Sequence, residues 1–306
     1  MRLAGYQGET SILTAALRHL AGALRSAGAG LVTELEIDVT RSGERATDLL
    51  ASIEEGQRQL AYLTSGYLSA RVPELAVLDL PFSVADRAEA LRSLDGEAGA
   101  LLREAVARRT GLHVLGFWDN GFRHVSNAVR PLRTLADCEG LVIRTVDSEP
   151  HRALLNALGF RAVSTDVKDL VHAVQTGAVD AQENPLTNLL GFELWRQHRH
   201  VSLTGHLFGV LLVLCPRAWF DSLSPRRRGA VQRAVSEATA LQRQLAASED
   251  ETALGRLRQH GVQVLAADQI DRDAMAAAAA TVSARQRQAL PAPLLRAYFQ
   301  ATTSIP

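Results

Sequence analysis

The chain has 306 residues, 47% of them hydrophobic and 22% charged, which describes a globular protein long enough for two domains or one large α/β unit. Lys+Arg and Asp+Glu both number 33, so the formal net charge is zero; that balance excludes the basic excess of a nucleic-acid binder. No apolar run approaches the length of a membrane span, and Cys138 and Cys215 form no metal or redox motif and read as two separate thiols.

The chain opens on "MRLAGYQGETS", which turns polar almost at once and reads as lacking an export leader. The expectation is a cytosolic protein or a mature form given a new Met. Residues 12–24 then place Ile12, Leu13, Ala16, Leu17, Leu20 and Leu24 at helical spacing, with Gly28 and Gly30 ending the segment. "LVTELEIDV" alternates, with Glu34, Glu36 and Asp38 on one side, and predicts a strand with one wet face. A helix near 45–58, the strand "LAYLTS", the stretch "PELAVLDLPF", a helical stretch across 85–109 and the strand "LHVLGFW" follow. The order β-α-β-α-β implies a largely parallel sheet covered by helices.

The pattern restarts after Asn120. "FRHVSNA" and "LVIR" read as strands, and "SEPHRALLNALG" as a helix with Ser148 at its N-cap. "RAVST" reads as a strand, "DVKDLVHAVQTG" as a helix capped by Asp166 and stopped by Gly177. "AVDAQENP" leads into a further helix, and "HVSLTGHLFGVLLVL" reads as one long strand. Two α/β units joined by a long strand imply two lobes with crossing connections. Residues 224–260 have no proline after Pro225. They read either as one helix about 55 Å long, able to brace both lobes, or as two helices broken near Ser248. "MAAAAATVSARQRQ" is a further helix.

Few residues carry obvious chemistry. His198, His200 and His206 cluster, but no Cys, Asp or Glu falls at matching spacing, and hydrogen-bonded histidines are commoner than zinc ligands. There is no nucleophile elbow, no P-loop and no dinucleotide-binding turn. The run Arg226-Arg227-Arg228 opens a helix, where the dipole disfavours cations, and reads as a solvated face. Arg144 is different, since it ends the apolar strand "LVIR" just before a helix. A buried guanidinium needs a counter-charge, from Asp147 or Glu149 or from a ligand. Arg123 in "NGFRHVSN" and Asn184 in "DAQENPL" each also have a structural explanation.

Together, "VPELAVLDLPF", "VLGFWDNGFRHVSNAVRPLRTLADCEGLVIR", "ALGF", "AVQTGAVDAQENPL", "SLTGH" and "LRQHGVQVL" resemble the extracytoplasmic solute receptors of TRAP transporters, in family order over nearly the whole chain. The resemblance implies an α/β, two-lobed, periplasmic-binding-protein-like fold with a long helix bracing both lobes. Residues 1–120 plus 209–250 would form the first lobe and 121–208 plus 251–306 the second, with a ligand cleft between them. It implies a periplasmic receptor, expected to be a monomer. Such a receptor captures a small organic acid and delivers it to the TRAP permease subunits, without catalysis, cofactor, metal or nucleic acid.

In that family the arginine ending the "G-L-x-I-R" strand grips the ligand carboxylate, which points to Arg144. Arg123 and Asn184 occupy supporting positions. Tyr6, Gln7, Thr64, Ser65 and Tyr67 are expected to line the other lobe, and Trp118 sits where relatives often carry an aromatic near the cleft. Val167 stands where sialic-acid receptors carry an aromatic, which argues against that ligand. A monocarboxylate (2-hydroxy, 2-oxo, sugar or aromatic) is the expectation. Two rival readings remain. One is a sensor on the same fold; the other is an enzyme in which Arg144 and Arg123 anchor an acid while His124 or His206 moves protons.

Overall fold

The structure, a computed structural model, describes residues 1–300. Among them nine strands join one mixed sheet: β1 (Arg2–Ala4), β2 (Glu34–Glu36), β3 (Leu60–Thr64), β4 (Leu112–Asn127), β5 (Val142–Thr145), β6 (Arg161–Ser164), β7 (Ala181–Asn184), β8 (His200–Pro216) and β9 (Gln263–Leu265). The order is β2-β1-β3-β8-β4-β7-β5-β6, with β9 on β8. Parallel pairing holds in the flanks, β2-β1-β3 and β6-β5-β7. The expectation of a largely parallel sheet fails at the centre. There β3–β8, β4–β8 and β4–β7 are antiparallel, because β4 and β8 run through both halves of the molecule in opposite directions.

β4 and β8 pair from Leu112↔Pro216 to Asn127↔His200. β3 joins one end of β8 and β7 the opposite end of β4. The two segments expected as separate strands, "LHVLGFW" and "FRHVSNA", are thus one continuous strand. The break expected after Asn120 is a register shift between Asp119 and Gly121. Gly121 takes φ +84°, a left-handed conformation open to glycine, and its N–H donates to Asp119 Oδ1 at 2.7 Å. Its partner Gly209 is needed for space: a Cβ there would lie 3.0 Å from Asn120 Cβ.

Apolar side chains collect in three buried clusters. The first draws on β1, β3, the start of β4 and the end of β8. The second holds Val125, Ile143, Leu154, Leu207 and Met275, and the third Leu170, Leu189, Val201, Ala253 and Leu257. The helix Pro225–Gln259 is unbroken at Ser248, and spans about 52 Å at 1.5 Å per residue. It presents Val231, Ala234 and Ala238 to the first cluster and Ala253 and Leu257 to the third. Its Gln242 clasps the β4 backbone at Asp119 in both directions, at 2.8 and 2.6 Å.

Smaller differences from expectation have local causes. The helical stretch 85–109 is two helices, Arg87–Asp95 and Glu97–Arg109, parted at Gly96. The wet-faced strand shrinks to Glu34–Glu36, where β1 supplies its backbone partners. Asp166 caps its helix through Lys168 N at 3.0 Å, whereas the Ser148 side chain makes no capping bond. Near the end of the described residues, Leu290, Leu294 and Tyr298 pack in the first cluster, with Tyr298 O accepting from Ser93 Oγ at 2.8 Å. Both cysteines are buried and free.

Candidate functional site

Parallel strands release their chains at their carboxyl ends, and crevices outside those ends are the usual ligand sites of α/β folds. Here the two flanks aim their carboxyl ends at each other. Tyr6 and Gln7 follow β1, Thr64 ends β3, Arg144 and Val146 come from the end of β5, Val167 follows β6 and Asn184 ends β7. With Tyr67, Asn120, Arg123 and Asn188 they line one narrow cavity of about 30 Å³.

Seven of the nine residues expected at the site therefore meet there: Tyr6, Gln7, Thr64, Tyr67, Arg123, Arg144 and Asn184. Ser65 and Trp118 do not. The short turn Ser65–Tyr67 brings Thr64 and Tyr67 to the cavity and leaves Ser65 inside the fold, 1% exposed. Trp118 is wholly buried before the crossing point of β4. It packs on Tyr62 with ring centroids 5.4 Å apart, and its indole N–H donates to Thr239 Oγ1 of the long helix at 3.0 Å. It braces the first core.

Arg144 is 3% exposed. Its Nε donates to Thr165 O at 2.9 Å, and its Nη2 donates to the same carbonyl. That anchor fixes the guanidinium but does not neutralise it. Among the described residues no carboxylate lies within ion-pair distance of Arg144. Asp147 and Glu149, the neighbours that could have paired with it, hold Arg152 instead, at 2.9 and 2.7 Å. Burial lowers the Arg144 pKa from its ordinary value, as expected for a cation out of water without a formal partner. The Tyr6 and Tyr67 phenols are pushed up, mainly by burial. At neutral pH they are uncharged hydroxyl groups facing that cation.

Arg123 has the opposite circumstance. Its Nε donates to Glu183 Oε2, and its Nη2 to Glu183 Oε1 at 2.9 Å and to Glu183 O at 2.8 Å. Glu183 is fully buried on β7 and also accepts from Thr145 Oγ1 at 2.6 Å. Burial alone would raise its pKa, but Arg123 and the flanking histidines His151 and His206 hold it well below the usual range. His151 Nε2 lies 3.1 Å from Asp79 Oδ1 and its Nδ1 3.7 Å from Glu183 Oε1. Against the cost of burial these two carboxylates raise its pKa to about 9. His206 Nε2 stands 3.5 Å from Glu183 Oε2, yet burial keeps its pKa lowered. His124, whose Nδ1 accepts from Gly205 N at 3.0 Å, is pushed down to about 3 by burial. Neither His124 nor His206 lines the cavity, so neither is placed to exchange protons with a bound acid. His198 is bonded to Ser126 Oγ at 3.0 Å rather than grouped for a metal.

Asn120, Val146 and Asn188 also line the cavity and were not anticipated. Asn188 lies in the first turn of the helix Leu186–Gly191 that follows β7, and its Nδ2 donates to Asn184 Oδ1 at 3.0 Å. Asn120 sat in "DNG", which reads as a turn rather than a lining. Gln7 Nε2 donates to Asn188 Oδ1 at 3.0 Å, and Ser11 Oγ, which caps the helix Ile12–Ser26, donates to Gln7 Oε1 at 2.6 Å. A wider outer groove lined by Ile12, Phe192, Trp195 and His260 shares Gln7 and Asn188 with the cavity. That amide pair therefore forms a wall between the two.

Residues 4–289 match the family model of the bacterial extracellular solute-binding proteins, family 7. The 2,3-diketo-L-gulonate-binding periplasmic protein YiaO of Escherichia coli is 30% identical over 220 residues, covering 72% of this chain and 67% of that protein. The fold superposes with a TM-score of 0.92 on the sugar acid binding protein DctPAm of Advenella mimigardefordensis in complex with galactonate, 23% identical, over 98% of this chain and 96% of that one. A TRAP periplasmic solute binding protein of Roseobacter denitrificans with bound β-D-glucuronate is 25% identical with a TM-score of 0.90, over 97% and 98% of the two chains. No helix among the described residues is long and apolar enough to cross a membrane. The chain thus belongs to the bacterial extracellular solute-binding proteins of family 7, the solute receptors of TRAP transporters, and it is a receptor rather than an enzyme.

Proposed function

We propose that the cavity captures a small hydroxylated organic acid, with Arg144 as the seat of its carboxylate, and that the loaded receptor presents this acid to a TRAP permease on the outer side of the cytoplasmic membrane. One observation carries the reading: a buried guanidinium, fixed by a backbone carbonyl, to which the described residues supply no carboxylate. A planar guanidinium matches both oxygens of a carboxylate, and a closed cleft removes competing water. The rest of the lining is rich in neutral hydrogen-bonding groups: Asn120, Asn184, Asn188, Gln7, Thr64, Tyr6 and Tyr67, against two valines. That set suits hydroxyl groups better than an alkyl or aromatic tail. The galactonate and glucuronate held by similar structures support the same chemistry.

Residues 1–120 and 209–250 form the first lobe in this reading and 121–208 with the segment after 250 the second, the last helix returning to the first. Closure of the two around the acid creates the shape the permease reads. The receptor acts as a monomer. Isothermal titration of the wild type and Arg144→Ala against aldonic and uronic acids, with the matching neutral polyols as controls, tests the seat. The expected loss on removing the guanidinium is about 2–5 kcal/mol, at least roughly 30-fold in affinity. Equal affinities in the two proteins would rule the carboxylate seat out.

A further inference from the structure

We infer that this receptor takes acids with a single negative charge and rejects diacids of the same length, because among the described residues that line the cavity Arg144 is the one cation without an ion pair. The inference rests on the carboxylate seat proposed above and names the charge class it admits. Two arginines line the cavity, which at first sight suits a dicarboxylate held at both ends. Arg123, however, is already spent on Glu183 through Nε and Nη2, so the pair contributes no net charge.

The groups behind that pair also cancel. Glu183 faces His151, His206 and Thr145, and His151 in turn faces Asp79. His151 carries a proton at neutral pH and offsets Asp79, while His206 and His124 are neutral. Tyr6 and Tyr67 are neutral hydroxyls. Outside the lining, half-buried Asp166 caps Lys168 N, and the exposed Lys168 carries the opposite charge two residues on. Among the described residues that line the cavity, one cation, Arg144, is left without an ion pair to meet one carboxylate. A second carboxylate would find amides, phenols and an arginine already paired, with no unpaired cation among the described lining residues, and a buried charge without a counter-charge is costly.

The test compares matched pairs that differ only in the terminal group: D-galactonate with galactarate and D-gluconate with D-glucarate, titrated near neutral pH, where every carboxyl is ionised. The monoacid of any pair that binds is expected to bind at least about ten-fold tighter than its diacid. Glu183→Gln, which frees Arg123, is expected to shrink or invert that ratio. A diacid bound as tightly as its monoacid by the wild type, with both lost in Arg144→Ala, overturns the charge matching while leaving the carboxylate seat intact. An unchanged ratio in folded Glu183→Gln overturns it as well. Silence from all four acids up to millimolar concentration counts against the hydroxy-acid reading itself and takes this inference with it. The wild-type comparison decides the matter even where the Glu183 variant does not fold.

Discussion

Arg144 and Arg152 sit close in sequence and meet opposite fates. Arg152 lies on the surface and collects both nearby acids, which leaves Arg144 to its cavity. Sequence alone left that choice open, since Asp147 and Glu149 stood equally near both. What was legible was the type of position: a permanent cation at the end of an apolar strand. Trp118 shows the reverse error, an aromatic assigned to the cleft that braces a core. Trp118→Phe is accordingly expected to leave ligand affinity within about two-fold while lowering stability by about 1 kcal/mol, through loss of the bond to Thr239. Titration and urea melts on the same preparation check both parts. His151 makes a prediction about pH. Its folded pKa of about 9 lies above the unfolded value near 6.5, so its stabilisation is full below about pH 6.5 and is lost as pH rises through about 9. The loss is on the order of 3 kcal/mol. Urea midpoints of the wild type should fall across that window, and those of His151→Gln should stay nearly level.

At the scale of elements, periodicity served well wherever one segment made one kind of contact. The helix Ile12–Ser26, the strand His200–Pro216 and the helix Val167–Gln175 lie close to where the pattern put them. It failed where partners decide. "FWDNGFR" carries the local signature of a turn, yet pairing with β8 on both sides of Gly121 carries the strand straight through. Glycine at that point is a backbone requirement. Gly121→Val would have to adopt φ near +84° with its Cβ 3.4 Å from Pro185 Cβ. The expected cost is about 1–3 kcal/mol, read as a lowered melting temperature. Gly111, where an added Cβ would meet open space, is the control, and Gly111→Ala should melt close to the wild type. The unbroken long helix was one of two open readings; its Ala-rich face is what lets it lie close along both clusters.

For the whole molecule, two α/β units could be read from the order of elements, whereas the candidate site residues came from the resemblance to TRAP solute receptors, and the structure brings seven of them together at converging strand ends. The network behind the cavity was invisible, since Asp79, His151 and Glu183 are far apart in sequence and meet only through packing. A receptor with this architecture should gain stability from its cargo. At 100-fold the dissociation constant a bound acid is expected to add about 2.7 kcal/mol, a rise of roughly 4 °C in melting temperature for a chain of this size. Neutral polyols should leave it unmoved. The shared strands carry one more implication. β4 places Phe117 in one core and Val125 in another, β8 serves all three, and the long helix serves two. Neither half can melt without pulling backbone out of the other. Calorimetry should therefore record a single cooperative endotherm, and a fragment cut to contain only one half should have no fold of its own.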